Sequence, residues 1–294
     1  MDNSHYWRRK EEMKKKALEH TKEMSNTYSE EILNSINNTT LYFMNGNNVK
    51  KSHHEGDSII TETVYPLVKN AMVRPIPKHH VLQSTSTQAI FDELSSSGKV
   101  CVLNFASYKN AGGEFLKGST AQEECLCHDS FLYNVLKEYP KYYEWNKQHL
   151  NKGMYLHRAL YTKDVIFECE GKKALVDVIT CASPNYSVAL KYGGFTAKEN
   201  LTCLKQRAKF IHAIIEDNPQ IDVVILGAWG CGVFKQQPKQ MAEIWKRLPF
   251  DSNLTIIHAI PDRRTFNDFE NVLHKHKQMG NSFYSNSFYL NQIE

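Results

Sequence analysis

A chain of 294 residues with 41% hydrophobic side chains is long enough to bury one large core, and that proportion excludes disorder of the whole chain. Its 36 lysines and arginines against 32 aspartates and glutamates leave a formal charge of +4, too small to demand a polyanionic partner or to forbid one. Seven cysteines is an odd count, and five of them (Cys101, Cys169, Cys181, Cys203, Cys231) lie in or beside apolar segments, which argues against a disulfide framework.

From Tyr6 to about Ile36 the chain is rich in Lys, Glu, Met and Leu, which favours a helix with a solvated charged face. The run "RRKEEMKKK" fits that face, so direct nucleic-acid binding is not expected. The polar stretch "NGNNVKKSHHEGDS" over 45–58 reads as a connection, which makes 1–60 an N-terminal helical accessory segment and 61–294 the main domain. The first residues are charged where a signal peptide is apolar, and no apolar run approaches the roughly 18 residues that span a bilayer. The expectation is an intracellular, cytoplasmic protein with no membrane partner, the nucleus being open to it if the source is eukaryotic.

Beyond residue 60 short apolar runs alternate with helical segments. "KVCVLNFA" (99–106), "ALVDVITCA" (174–182), "IDVVILGA" (221–228) and "NLTIIHAI" (253–260) read as strands covered on both faces. Helices are expected over 85–98, 120–137, 197–218, 238–248 and 264–277. That alternation predicts an α/β fold, a three-layer α/β/α sandwich with a mostly parallel central sheet, and ligands bind such sheets at the carboxyl ends of the strands.

Two loops leave those ends. One is "NFASYKNAGGEFLKGSTAQEE" (104–124), longer than the usual 2–6 residues between a strand and a helix. The other is "GAWGCGVFKQQP" (227–238). Both carry glycines that admit positive φ and let backbone N–H groups crowd a ligand, and a helix follows each, a construction that suits a diphosphate. Neither carries the Gly-Lys-Ser/Thr of a P-loop.

Gln122, Glu123 and Glu124 stand side by side at the expected start of a helix. Ser119 or Thr120 as the N-cap, with Gln122 or Glu123 closing a capping box, would account for one of these side chains without any chemistry. It would not account for the length of the loop before them. A carboxyl beside a bound diphosphate is pushed toward its protonated form by like charge and desolvation, as a general acid for glycoside cleavage requires. Cys125, Cys127 and His128 have too tight a spacing and no second pair for a zinc site, so no metal and no cofactor is expected.

With Gly112-Gly113-Glu114, seven spacer residues and Gln122-Glu123-Glu124, the chain resembles the microbial, bacterial-type branch of the macrodomain-type poly(ADP-ribose) glycohydrolases, whose signature is a triple glycine, a short spacer and Gln-Glu-Glu. The flanks "VLNFAS", "CLCHDSFLYNVL", "VDVITCASPNY" and "GAWGCGVFKQQP" follow in the family's order, so the likeness runs from about residue 80 to about 275. The resemblance implies a macrodomain-like fold, and hydrolysis of the ribose–ribose O-glycosidic bonds of poly(ADP-ribose), free or on an ADP-ribosylated protein, with ADP-ribose as product. It implies Glu124 as the acid on the leaving ribose oxygen, Glu123 as the group that orients the ribose, and Gln122 as support for the loop. It also implies that Gly112, Gly113, Gly230, Cys231, Gly232 and Val233 wrap the diphosphate, that Phe234 packs on the reacting ribose, and that Asn104 and Asn110 shape the loop and contact ribose.

The signature departs at two positions: Glu114 stands for the third glycine, and Ala111 for the preceding proline. Either the Glu114 carboxylate points at the ligand and opposes it, or it turns outward. The first outcome would suit a non-catalytic ADP-ribose reader, and the basic N-terminal helix leaves open hydrolysis of another ADP-ribose adduct, on a protein side chain or a nucleic acid.

Overall fold

The computed structural model describes residues 3–55, 58–64, 77–93 and 98–274. Helices α1 (Asn3–Thr27) and α2 (Ser29–Asn37) lead into strands β1 (Thr39–Asn45), β2 (Asn48–Glu55), β3 (Ser58–Thr63) and β4 (Lys78–Leu82). Then come α3 (Ser86–Glu93), β5 (Val100–Phe105), α4 (Gln122–His128), α5 (Leu132–Leu136), α6 (Pro140–Gln148), β6 (Arg158–Cys169) and β7 (Lys172–Cys181). The chain closes with α7 (Tyr186–Lys191), α8 (Ala197–Glu216), β8 (Val223–Ile225), α9 (Pro238–Arg247), β9 (Thr255–Ala259) and α10 (Arg263–His274).

One sheet of nine strands runs in the order β3-β2-β1-β6-β7-β5-β8-β9-β4. Its half from β7 to β4 is parallel, as the alternation of strands and helices requires. The other half is antiparallel, so the expected mostly parallel sheet is corrected to a mixed one. Two-residue turns are the physical cause. Gly46 at φ +59 reverses β1 into β2, and Glu170 and Gly171 at φ +50 and +78 reverse β6 into β7, the positive-φ pair that tight hairpins need. The helix expected from Tyr6 to about Ile36 is present as α1 and α2, which reach Asn37; the rest of the accessory segment supplies edge strands to the same sheet from Thr39, the stretch read as a connection over 45–58 holds β2, and residue 60 falls inside β3. The helices expected over 85–98 and 264–277 are present as far as Glu93 and His274, and 94–97 and 275–277 lie outside the described residues.

Side chains alternate across the sheet into two cores. Cys101 and Leu103 of β5 face Leu204, Ala208 and Ile211 of α8, Trp245 of α9 and Phe269 of α10. Val100 and Val102 face Ala17 of α1, Ile32 of α2, Ile90 of α3, Leu126 of α4 and Val135 of α5. The N-terminal helices thus cover one face of the sheet. Gly118, at φ +77, is where α1 meets the long loop: a Cβ there would lie 2.5 Å from the Lys10 carbonyl oxygen.

Helix α8 opens on a capping box, with Glu199 N–H donating to Thr196 Oγ1 (3.2 Å) and Thr196 N–H to Glu199 Oε2 (2.8 Å). Its fully buried Arg207 donates to the Ala182 carbonyl (2.6 Å) and the Met154 carbonyl (3.1 Å), so α8 fixes the segments after β7 and before β6 that border the site.

At the far edge, His79 Nδ1 and His258 Nε2 stand 3.0 Å apart with rings stacked. Burial holds His79 down at about 4 and His258 well below the usual 6.5. The unfolded chain takes up these protons near 6.5 while the folded one refuses them, so stability is present above 6.5 and is lost as pH falls toward 4. The melting temperature is expected to drop by at least a few degrees over that window, and His79→Phe to flatten the drop.

Candidate active site

Parallel pairing of β5 with β7 and β8 aligns three strand ends, and both glycine loops leave from that edge. Gln122 braces it. Its Oε1 accepts from Phe105 N–H (2.8 Å), and its Nε2 donates to the Leu103 carbonyl (3.0 Å) and Ser86 Oγ (3.1 Å), tying the start of α4 to the end of β5. The N-cap of α4 is Ala121, with no side-chain cap, so the capping box expected from Ser119 or Thr120 does not form. All three side chains of Gln122-Glu123-Glu124 are engaged with the long loop or with β5 instead.

Glu123 is 3% exposed; its Oε2 accepts from Ser107 N–H (2.6 Å) and its Oε1 from Asn104 Nδ2 (3.2 Å), and Asn104 also donates to Thr180 Oγ1 (3.3 Å). Burial pushes the Glu123 carboxyl up to about 8, against the two hydrogen bonds, which lower it. The folded protein therefore keeps this proton at neutral pH while the unfolded chain gives it up near 4.5, so stability present below 4.5 is lost as pH rises toward 8. Glu123→Gln removes that slope: its melting temperature relative to the parent is expected to climb steadily between pH 5 and 8.

Glu124 is 5% exposed. One carboxylate oxygen, Oε1, accepts from Glu114 N–H (2.8 Å). The other, Oε2, is buried with no partner among the described residues, a polar atom whose hydrogen-bonding capacity the surrounding protein does not meet. Gly113 packs against both acids: at φ +62, a Cβ there would stand 2.5 Å from Glu124 Oε1 and 2.9 Å from Glu123 Oε2. Gly112, also at φ +62, is pressed on Tyr133 and Cys127. The two glycines serve to let the loop lie on the carboxylates.

Glu114 turns outward. Its side chain is 45% exposed and pairs with Lys117 Nζ (2.8 Å), with Asn110 Nδ2 at 3.4 Å. Its φ of −108° is open to any residue, so the third glycine of the signature is not required here. Glu114→Gly is expected to leave turnover within about threefold of the parent, measured as kcat on the same substrate, since only an exposed pair worth roughly 0–1 kcal/mol is lost.

The second loop reaches the same place through Phe234 and two tyrosines outside it that sequence reading did not single out. Tyr108 of the long loop stacks on Tyr155 at 4.2 Å between centroids, and Tyr155 meets Phe234 edge to face at 6.0 Å. Gly230 is required by Ser183, with which a Cβ would collide, and by Gln236 Cγ at 2.9 Å. Cys231 turns its sulfur to the Trp229 carbonyl (3.8 Å), while Gly232 and Val233 are exposed, Val233 at 74%. Asn104, Asn110, Gly113 and the Gln-Glu-Glu run thus form one bonded cluster with Glu114, Phe234 joins it through Tyr155 and Tyr108, and Gly232 and Val233 project at the rim. Cys127 is buried and His128 stacks edgewise on Phe115 (4.6 Å); no group of metal-holding side chains occurs among the described residues. No described helix is long and apolar enough to cross a membrane.

The fold thus brings two buried acids together under a glycine loop at the strand ends. The model of the microbial-type PARG catalytic domain matches residues 9–168, more than half of the chain, and the protein belongs to that family. Among solved structures, poly(ADP-ribose) glycohydrolase from Thermomonospora curvata superposes with a TM-score of 0.73 at 22% identity, over 89% of this chain and 99% of that one. The enzyme from Deinococcus radiodurans in complex with ADP-ribose superposes with a TM-score of 0.62 at 28% identity, over 68% of this chain and 85% of that one. No curated protein sequence matches the chain.

Proposed function

We propose that the protein hydrolyses the ribose–ribose O-glycosidic bonds of poly(ADP-ribose) and releases ADP-ribose, on a macrodomain-like scaffold in which 61–294 carry the site and the residues before them complete the sheet and cover one face. Family membership supports the activity, and the D. radiodurans enzyme, solved with ADP-ribose, supports the ligand. The observation that carries the assignment of the acid is the partnerless, buried Glu124 Oε2, whose carboxyl lies against Gly113, where a Cβ would collide with its other oxygen.

In this reading the diphosphate lies against Gly112, Gly113 and the loop from Gly230 to Val233, with Phe234 on the reacting ribose and Asn110 at its rim. The uncharged Glu123 carboxyl donates to a ribose hydroxyl and fixes the sugar, its own position set by Ser107 and Asn104. Glu124, oriented by Glu114 N–H, delivers a proton from Oε2 to the bridging oxygen as the C–O bond breaks. Positive charge grows on the anomeric carbon, and the resulting carboxylate stabilises it. Water then adds to that carbon and returns a proton to Glu124, which closes the cycle. The polymer, free or on an ADP-ribosylated protein inside the cell, is the substrate class.

The reader alternative drew on Glu114 facing the ligand; its pairing with Lys117 removes that ground. Incubation of the protein with labelled poly(ADP-ribose), with chromatography of the products and a parallel thermal-shift titration with ADP-ribose, tests the reading. Monomer release with stabilisation by ADP-ribose is the expected result; stabilisation without product would identify a reader.

A further inference from the structure

A second concavity lies away from the carboxylates, between α8 and α9. It encloses about 470 Å3 over a floor of Leu201, Ile244 and Leu248. That is large enough for a nucleoside, since small-molecule sites run from about 300 to 1,000 Å3. Its rim carries Lys205, Lys209, Lys239 and Arg247 against one carboxylate, Glu243. Arg247 pairs with Glu243 (3.3 Å) and Lys239 with Asp268 (3.6 Å), whereas Lys205 and Lys209, one helical turn apart, make no ion pair among the described residues.

The groove is joined to the second glycine loop. Asn200, the residue before Leu201, and Gln236, two residues before α9, hydrogen-bond to each other through both amide ends (2.9 and 3.0 Å), and Gln236 also donates to the Pro184 carbonyl (2.7 Å). The head of the groove therefore backs onto the loop assigned above to the diphosphate.

We propose that this groove is an auxiliary track for poly(ADP-ribose), holding polymer beyond the unit that is being cleaved, a proposal that rests on the functional reading above. Each repeat of the polymer brings two phosphate charges and one flat adenine. The free lysines take the phosphates, and the apolar floor takes a base face, with the lysine stems lining the walls. A protein with a net charge of only +4 has little general attraction for polyanions, so these unpaired cations over an apolar floor form a local feature rather than part of an overall field.

The test compares Glu124→Gln, expected to hold polymer while cutting it far more slowly, with the same chain carrying Lys205→Glu and Lys209→Glu, using long polymer, the two-unit oligomer and free ADP-ribose as probes. The charge reversal is expected to weaken long-polymer binding roughly tenfold and to lower the salt slope by about 0.7 for each phosphate no longer neutralised. Binding of the oligomer and of ADP-ribose is expected to stay unchanged. In the otherwise unaltered protein, K205E/K209E is expected to raise KM for long polymer and leave kcat alone. Unchanged long-polymer affinity would overturn the track, as would an equal loss for free ADP-ribose, or duplex DNA competing for the groove as well as polymer does. Absence of cleavage by the parent would instead sink the functional reading, so the two failures are distinguishable.

Discussion

Gly113→Ala is expected to fold and to lose at least two orders of magnitude in turnover. Alanine at φ +62 carries a backbone penalty of about 1 kcal/mol, which a domain of this size tolerates. The functional loss has a different source. The new methyl would sit 2.5 Å from Glu124 Oε1 and 2.9 Å from Glu123 Oε2, so either the loop lifts or both carboxyls move. A misplacement of about 1 Å at a reacting group costs on the order of 10²-fold. Lifting the loop also breaks the Glu114 N–H bond that orients Glu124. Circular dichroism and thermal melting check the fold, and polymer turnover reads the effect; a variant within threefold of the parent would show that the glycine is not needed to seat the acids.

Glu124→Gln separates orientation from proton delivery. The amide oxygen of glutamine still accepts from Glu114 N–H, so the side chain keeps its place, but the group now standing at the Oε2 position has no acidic proton to give. Loss of a general acid costs about 10²–10⁴-fold in rate. Affinity for ADP-ribose, measured by titration calorimetry, is expected to stay within about threefold. Loss of binding in step with rate would make Glu124 a ligand-holding residue rather than the acid.

The parts of this molecule that can be read from the chain are those where one physical requirement dominates. Strands β5, β7, β8 and β9 are buried on both faces and show as continuous apolar runs, and α8 to α10 show as helical segments between them. The Gln122-Glu123-Glu124 run stands out because a helix start has no need of three such side chains. The antiparallel half was harder to see. Strand β2, "NVKKSHHE", is half-buried along its middle, exposed at both ends and carries no clean alternation, and β6 is interrupted between Thr162 and Val165, where Asp164 adopts a φ of +57°. The Asn45-Gly46 pair did carry a hairpin signal, which the polar stretch after it obscured.

Within the site, residues adjacent in sequence were legible and those brought together by the fold were not. Glycines, glutamates and the loop aromatic Phe234 can be picked out along the chain. Tyr155, whose ring bridges Tyr108 and Phe234, and Arg207, which holds the segments on either side of it from α8, have no local pattern that marks them. The same holds for Gly118, whose lack of a side chain is explained only by the Lys10 carbonyl of a helix a hundred residues earlier. The orientation of Glu114 depended on a lysine three residues on, and either sign of its effect was compatible with the sequence.

The claim that Glu124 supplies the proton to the leaving ribose is tested most directly by changing how much the leaving group needs one. Rates for the parent and for Glu124→Gln are to be compared on poly(ADP-ribose) and on an ADP-ribose glycoside of an acidic phenol. The account requires a loss of about 10²–10⁴-fold on the polymer and a clearly smaller loss on the phenolic glycoside, whose oxygen departs without protonation and which then lacks only the charge stabilisation and proton uptake by the carboxylate. Equal losses on both substrates would contradict it.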